Sequence, residues 1–200
     1  MKKLLLALLA LAAICLSGCI VLSVCPFYTE KDLVFDPALL GSWKNTEKTN
    51  TLWQFETEVT NLYRLSIKND NEVNLTHARL FKLNGKLFID MLTPKAEVKE
   101  GNQTMFPPPI PSHTILRVAQ LAPTLRVAFM NYDWLAEFLE KNPAALRHYV
   151  MKEEGDNKKP FYILTADTAD LQKFVLKHYA NTNAWGEYTE LKREPAKPKE

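Results

Sequence analysis

The sequence predicts a mainly β protein with helical additions, in which antiparallel strands form a β-barrel. Three observations support this prediction. Apolar and polar residues alternate in short segments from Trp43 onward, turn-forming residues separate those segments, and two other segments repeat apolar residues with helical spacing. Strands that follow one another in hairpins and carry one apolar face must bury that face, either by closing into a barrel or by packing as two sheets. Of these two arrangements we expect the closed barrel.

The N-terminus carries an uncharged apolar run that ends at a cysteine. Lys2 and Lys3 precede residues 4–16, which contain no charge. A basic start and about a dozen apolar residues are typical of a secretory signal, and the run is too short to span a bilayer. It ends in Leu-Ser-Gly-Cys at positions 16–19, which resembles the lipobox of bacterial lipoproteins. We therefore expect residues 1–18 to be a lipoprotein signal peptide; the alternative is an ordinary secretory signal with a chance cysteine.

The lipobox resemblance implies that the chain is cut before Cys19, that the Cys19 thiol carries diacylglycerol, and that the new amine carries a fatty acid such as palmitate. Each buried CH₂ contributes roughly 0.8 kcal/mol, so two or three acyl chains hold a protein stably on a membrane where one does not. Residue 20 is isoleucine rather than aspartate, and by the sorting convention of enterobacterial lipoproteins this favours the outer membrane. We expect a lipid-anchored protein of the bacterial cell membrane, on the outer membrane and facing the periplasm.

The composition of the mature chain excludes one class of partner. The leader contains two lysines and no acid, so the 25 Lys and Arg of the whole chain fall to 23 and equal the 23 Asp and Glu. A neutral domain with both signs interspersed lacks the basic surface that nucleic-acid binding requires. The length that remains suits one domain.

Residues 19–35 form the predicted lipidated N-terminal tether. Its first part, 20–28, is unusually apolar, and we expect it to pack on the domain or at the lipid surface. Cys25 has no intramolecular partner, because Cys15 leaves with the leader and Cys19 carries lipid. An intermolecular disulfide through Cys25 is the alternative.

The barrel-like domain is predicted to span 36–193, with about seven alternating strands and two more near its end. The Asn84-Gly85 pair predicts a tight hairpin turn. The expected strand segments begin at Trp43 and include Trp53–Phe55, Tyr63–Ile67, Val73–Leu83, Lys86–Met91, Thr114–Leu121, Thr124–Phe129, Phe161–Leu164 and Tyr188–Arg193.

Helices are predicted near 132–148 and 167–180; in the first region a helix over Tyr132–Glu140 should stop before Pro143, followed by a further turn to about His148. In the second, apolar residues recur from Leu171 to Tyr179 at helical spacing, and Asp167 is the expected N-cap. The tail 194–200, rich in proline and charge, is predicted to be disordered.

The start of the first strand carries a short motif. Gly41-Ser42-Trp43 resembles the Gly-x-Trp signature of lipocalins and related calycin barrels, and the preceding Asp-Pro-x-Leu at 36–39 extends a likeness to uncharacterised bacterial lipoproteins. In calycins the tryptophan closes the barrel base and an arginine from the last strand stacks on it. The resemblance assigns these roles to Trp43 and Arg193, and it implies an antiparallel calycin-like β-barrel. A guanidinium on an indole face contributes about 0.5–2 kcal/mol.

One strand places polar residues among apolar ones. His77 and Arg79 share their parity with Phe81 and Leu83, so both would point into the barrel lumen. There they would bind the anionic headgroup of an amphiphile. The alternative is a β-bulge near Ala78 that turns both outward.

No motif indicates catalysis, a cofactor or a metal. The four histidines lack the close spacing of a metal site, and neither a nucleophile elbow nor a phosphate loop is present. We therefore expect a non-enzymatic protein that binds a small hydrophobic or amphipathic ligand, or lipid, in its barrel. The alternative is a structural or protein-interaction module of the cell envelope, with a filled barrel and an envelope protein as partner; an enzyme whose site is assembled only in space is the third interpretation.

Overall fold

The computed structural model describes residues 20–48, 50–70, 72–93, 111–151 and 160–195. The predicted signal peptide 1–18, the predicted lipidation site Cys19 and residues 196–200 of the predicted tail lie outside these ranges.

The described residues contain eleven strands and two α-helices. The strands are β1 (Leu22–Ser23), β2 (Gly41–Asn45), β3 (Thr51–Val59), β4 (Leu62–Asn69), β5 (Glu72–Leu83), β6 (Lys86–Thr93), β7 (Ser112–Gln120), β8 (Thr124–Phe129), β9 (His148–Met151), β10 (Phe161–Leu164) and β11 (Thr189–Arg193), and the helices are α1 (Tyr132–Lys141) and α2 (Thr168–Lys177).

Eight of these strands close into an antiparallel barrel. Each strand from β2 to β8 pairs with the next, and β11 pairs with both β8 and β2, which completes the ring. At the β5–β6 turn, Asn84 and Gly85 have φ angles of 45° and 78°, as a two-residue hairpin with positive φ requires. The predicted fold class, mainly β with helical additions and an antiparallel barrel, is confirmed.

The barrel interior is filled by the chain's own side chains. Cross-strand register places Trp43 opposite Trp53, Phe55 opposite Leu65 and Leu80 opposite Ile89, so these pairs share the inner face. All residues of this inner core are at most 5% exposed: Leu39, Trp43, Trp53, Phe55, Tyr63, Leu65, Ala78, Leu80, Ile89, Leu116, Val118, Leu125, Val127 and Leu191.

A second core lies outside the barrel wall. Phe81, Phe88 and Ile115 are buried on the outer face of β5, β6 and β7. They are covered by the N-terminal segment and by the two helices, whose buried residues include Leu135 and Leu171. The strands β5 to β7 therefore bury apolar side chains on both faces.

The predicted tether is part of this second core. Val21 and Phe27 are each 1% exposed, and β1 pairs in parallel with β10 and antiparallel with β7. Cys25 is partly buried as a free thiol. The segment expected to link lipid to domain is thus packed on the domain from its first described residues.

The helical predictions are right in part. The segment 167–180 contains α2, and the Asp167 side chain accepts a hydrogen bond from the Asp170 amide at 2.9 Å. The segment 132–148 is helical only as far as Lys141, and His148 opens β9 instead. The helix ends before Pro143, as predicted, because proline lacks the amide proton that a continuing helix needs, and residues 143–144 form a turn.

Trp43 and Arg193 meet at one end of the barrel. The Arg193 guanidinium carbon lies 4.5 Å from the centre of the Trp43 ring, and its nitrogens donate hydrogen bonds to the carbonyls of Leu40 and Ala38. The Trp43 indole donates to the Leu39 carbonyl at 2.8 Å. Gly41 has a φ of 110°, and a Cβ there would sit 3.0 Å from an Arg193 nitrogen. Position 41, at the start of β2, therefore suits glycine on two counts.

Candidate functional site

A small polar pocket lies where the N-terminal segment crosses the outer face of β5 and β6. Its volume is about 120 Å³. The residues that line it are Tyr28, Leu62, His77, Arg79, Asp90 and Leu92. It is the place in the described structure where the two ligand-binding residues predicted from sequence come together with further ionisable groups.

His77 and Arg79 do not face the lumen. Arg79 is opposite Asp90 in the sheet, while the inward positions of β5 are the alternate ones, Ala78 and Leu80. The prediction that both point inward is therefore wrong. The odd-numbered Phe81 that suggested an inner face is buried instead in the outer core.

The bulge alternative near Ala78 is also wrong. The described pairs of β5 run without a register shift from 72 to 78 against β4 and from 77 to 83 against β6. His77 and Arg79 face outward because the odd positions of β5 form the outer face along its whole length. Val73 and Leu75, on the same parity, are each 57% exposed.

Asp90 is the buried centre of the pocket. It is 2% exposed, and its two carboxylate oxygens are bound by different elements. Oδ2 accepts a hydrogen bond from the Phe27 amide at 3.0 Å, and Oδ1 lies 2.7 Å from Nδ1 of His113. A buried carboxylate requires such partners. Asp90 thereby fastens the N-terminal segment to β6 and β7.

Asp90, His113 and Tyr28 were missed at the sequence level. The available sign was Asp90 itself, an acid in an otherwise apolar strand, at the parity of the outer face. Its partner Phe27 is 63 positions away, a separation that periodicity within a strand does not reveal.

The rim of the pocket is cationic and aromatic. Arg79 donates a hydrogen bond to the Asn61 carbonyl at 3.2 Å and lies 5.6 Å from the Tyr28 ring centre. Burial raises the pKa of the Tyr28 phenol above its ordinary value, and the Arg79 guanidinium opposes that change. His77 lies 3.0 Å from the Glu58 carboxylate.

The buried carboxylate of this pocket joins the N-terminal segment to β6 and β7, and we call this arrangement the Asp90 clamp. Both Asp90 oxygens bind other groups of the chain, so this carboxylate has a structural role. Arg79 and His77, at the opening, are likewise engaged with the Asn61 carbonyl and the Glu58 carboxylate. The volume corresponds to a few water molecules, at about 30 Å³ each in the liquid, and it leaves no room for an acyl chain.

A second cleft, of about 200 Å³, lies between α1 and α2 beside His178. The His178 ring is within 5.0 Å of the ring centres of Trp134, Phe138 and Phe174. Burial, and secondarily the charge of Lys177, lower the pKa of His178 below its ordinary value. The imidazole is therefore a neutral part of an aromatic cluster at neutral pH.

The fold and this pocket define a class of protein: a closed, eight-stranded antiparallel barrel, consistent with a calycin-like fold, that carries a helical outer layer. We found no family model, curated protein or solved structure that matches the chain. Within the described ranges, no helix has both the length and the apolar character to span a bilayer. Those same ranges hold no group of three or more His, Cys, Asp or Glu that could ligate a metal.

Replacing Asp90 tests the clamp. We expect Asp90→Asn to lower the free energy of unfolding by about 2–4 kcal/mol. The amide has the same size but only one acceptor oxygen, so it cannot replace both the bond to the Phe27 amide and the ionic contact with His113. Denaturant unfolding measures the change. The matched control is Glu56→Gln, which breaks an exposed ion pair with Arg64 and should cost less than about 1 kcal/mol. Equal effects of the two substitutions would contradict a buried clamp.

Proposed function

We propose that this protein is a lipid-anchored protein of the bacterial cell envelope whose barrel is a filled scaffold, and that it acts by presenting its outer surface to an envelope partner. The observation that carries the proposal is the packing of the inner core. Trp53, Phe55 and Leu65 project into the interior and are almost inaccessible to solvent. The interior of an eight-stranded barrel can be filled by side chains or can hold one small ligand, and the burial of these side chains favours the filled barrel.

The predicted lumenal ligand is the less favoured function. A hydrophobic ligand inside the barrel would have to displace side chains such as Trp53, and each of these is packed against others of the inner core. The pockets described above, beside Arg79 and beside His178, both lie outside the barrel wall. Two larger cavities, of about 540 Å³ beside Tyr162 and about 770 Å³ beside Leu52, are likewise lined by no residue of the inner core.

The membrane anchor is supported by the sequence at 16–19, and the residue that follows Cys19 is paired with the domain. Cys19 directly precedes Ile20, which forms a β-bridge with Asn131. The acyl chains proposed on Cys19 would therefore join the folded domain directly.

A filled barrel makes a definite prediction for native mass spectrometry. A Cys19→Ser form without the leader, purified from cells, should have the mass of its polypeptide alone, because its interior has no room for cargo. It should also fail to bind a fluorescent fatty acid. A co-purified lipid or fatty acid that the labelled fatty acid displaces would contradict the filled barrel and restore the lumenal ligand.

The anchor is tested by fractionation. We expect the wild-type protein in the membrane fraction with a diacylglyceryl group on its N-terminal peptide, and Cys19→Ser in the soluble fraction, since its acyl chains would be missing. The control is Cys25→Ser, which removes the neighbouring thiol and should leave the protein on the membrane. An unmodified wild-type peptide, or a Cys19→Ser protein that stays membrane-bound, would contradict lipidation at Cys19.

A further inference from the structure

The small sheet formed by β1, β10 and β9 has an apolar outer face. Leu22 is opposite Ile163, and Ile163 is opposite Tyr149, so these three side chains share one side of the sheet. We call this side, with its apolar neighbours, the apolar face. Its members are Ile20, Leu22, Val24, Tyr149, Met151 and Ile163.

The apolar face is exposed along the N-terminal segment around β1 and along the edge strand β9. Ile20 is 50% exposed and Tyr149 is 60% exposed, and Val24 and Met151 are also exposed. Exposure alternates along the first strand, because Val21 and Ser23 are fully buried on the opposite side. Contiguous exposed apolar residues on a soluble domain mark a surface that contacts another molecule or a membrane.

The position of the predicted lipid indicates which molecule the apolar face contacts. Cys19 is one residue from Ile20, so their Cα atoms are about 3.8 Å apart. From Val21 the chain is held rigidly: the Val21 carbonyl accepts a hydrogen bond from the Thr114 hydroxyl, and the Val24 amide donates to the Leu164 carbonyl at 3.0 Å. No residue separates Cys19, the proposed lipidation site, from Ile20 of the apolar face.

We propose that the apolar face lies on the lipid bilayer and that the domain is held flat against the membrane surface. This inference rests on the proposed lipidation at Cys19. Acyl chains that start beside Ile20 bring the bilayer to this face before any other part of the domain. Tyrosine is favoured at the membrane interface, where its ring is in apolar surroundings and its hydroxyl is wet.

The charges around the sheet fit the same orientation. Among the described residues beside the apolar face, Arg147, two residues before Tyr149, is exposed where it can bind lipid phosphate. The acidic residues Asp133, Glu137 and Glu140 line a cavity together with Tyr162. Tyr162 alternates with Ile163 along β10, so this acidic cavity lies on the side of the sheet away from the apolar face.

The test places one fluorescent label on the apolar face of the full lipidated protein. In a Cys25→Ser background, with Cys19 blocked by lipid, Tyr149→Cys is labelled with an environment-sensitive dye, and Val24→Cys provides a second position on the same face. The matched control is Lys44→Cys, exposed on β2, which β8 and β11 separate from β7. Each protein is reconstituted into phosphatidylethanolamine–phosphatidylglycerol vesicles.

We expect nitroxide-bearing lipids to quench the labels at 149 and 24 several-fold more than the label at 44, and aqueous iodide to quench them several-fold less. Labels at 149 and 24 that iodide reaches as readily as the label at 44 would overturn the inference while lipidation stands. Labels protected from both quenchers would also overturn it, in favour of a protein partner or a second copy. An N-terminal peptide without lipid would refute the proposed function and this inference together.

Discussion

The structure depends on strands that are buried on both faces. In β5, β6 and β7 the inner face supplies Leu80, Ile89 and Leu116 to the barrel interior, and the outer face supplies Phe81, Phe88 and Ile115 to the second core. Burying an apolar side chain of this size contributes about 1.5–3 kcal/mol. An outer face of such residues cannot be left to water, so the barrel needs the N-terminal segment and the helices as much as they need the barrel.

Asp90 connects the barrel wall to the N-terminal segment that covers its outer face. It lies in the barrel wall, faces outward and binds the Phe27 amide through one oxygen and His113 through the other. A carboxylate at this position would be costly without both partners. The hydrogen bonds therefore fix where the N-terminal segment crosses the wall, and through it where a lipid on Cys19 would leave the domain. The hydrogen bonds of Asp90, which stabilise the fold, would thus also set the orientation of the domain on a membrane.

The sequence was most informative where a local pattern has one physical meaning. The Asn84-Gly85 turn, the Asp167 N-cap and the contact of Trp43 with Arg193 all lie where they were expected. Alternation identified the strands of the barrel, because a half-buried strand must alternate.

Alternation could not tell which face of β5 is the inner one. Both faces carry apolar residues, so His77 and Arg79 were assigned to the wrong side. β1 and β9 were missed because strands of two and four residues exist only through distant pairing, such as Leu22 with Ile163. The Asp90 clamp was missed for the same reason, since its partners are remote in sequence.

The central claim is that the N-terminal segment belongs to the folding unit of the barrel, and native-state hydrogen exchange tests it most directly. The amides of Val24 and Phe27 bond to the Leu164 carbonyl and to Asp90. We expect them to exchange only through global unfolding, with the same opening free energy as the amides of β4 and β6. Exchange of Val24 and Phe27 at an opening free energy several kcal/mol lower, while the barrel amides stay protected, would show a separable tether and contradict this account.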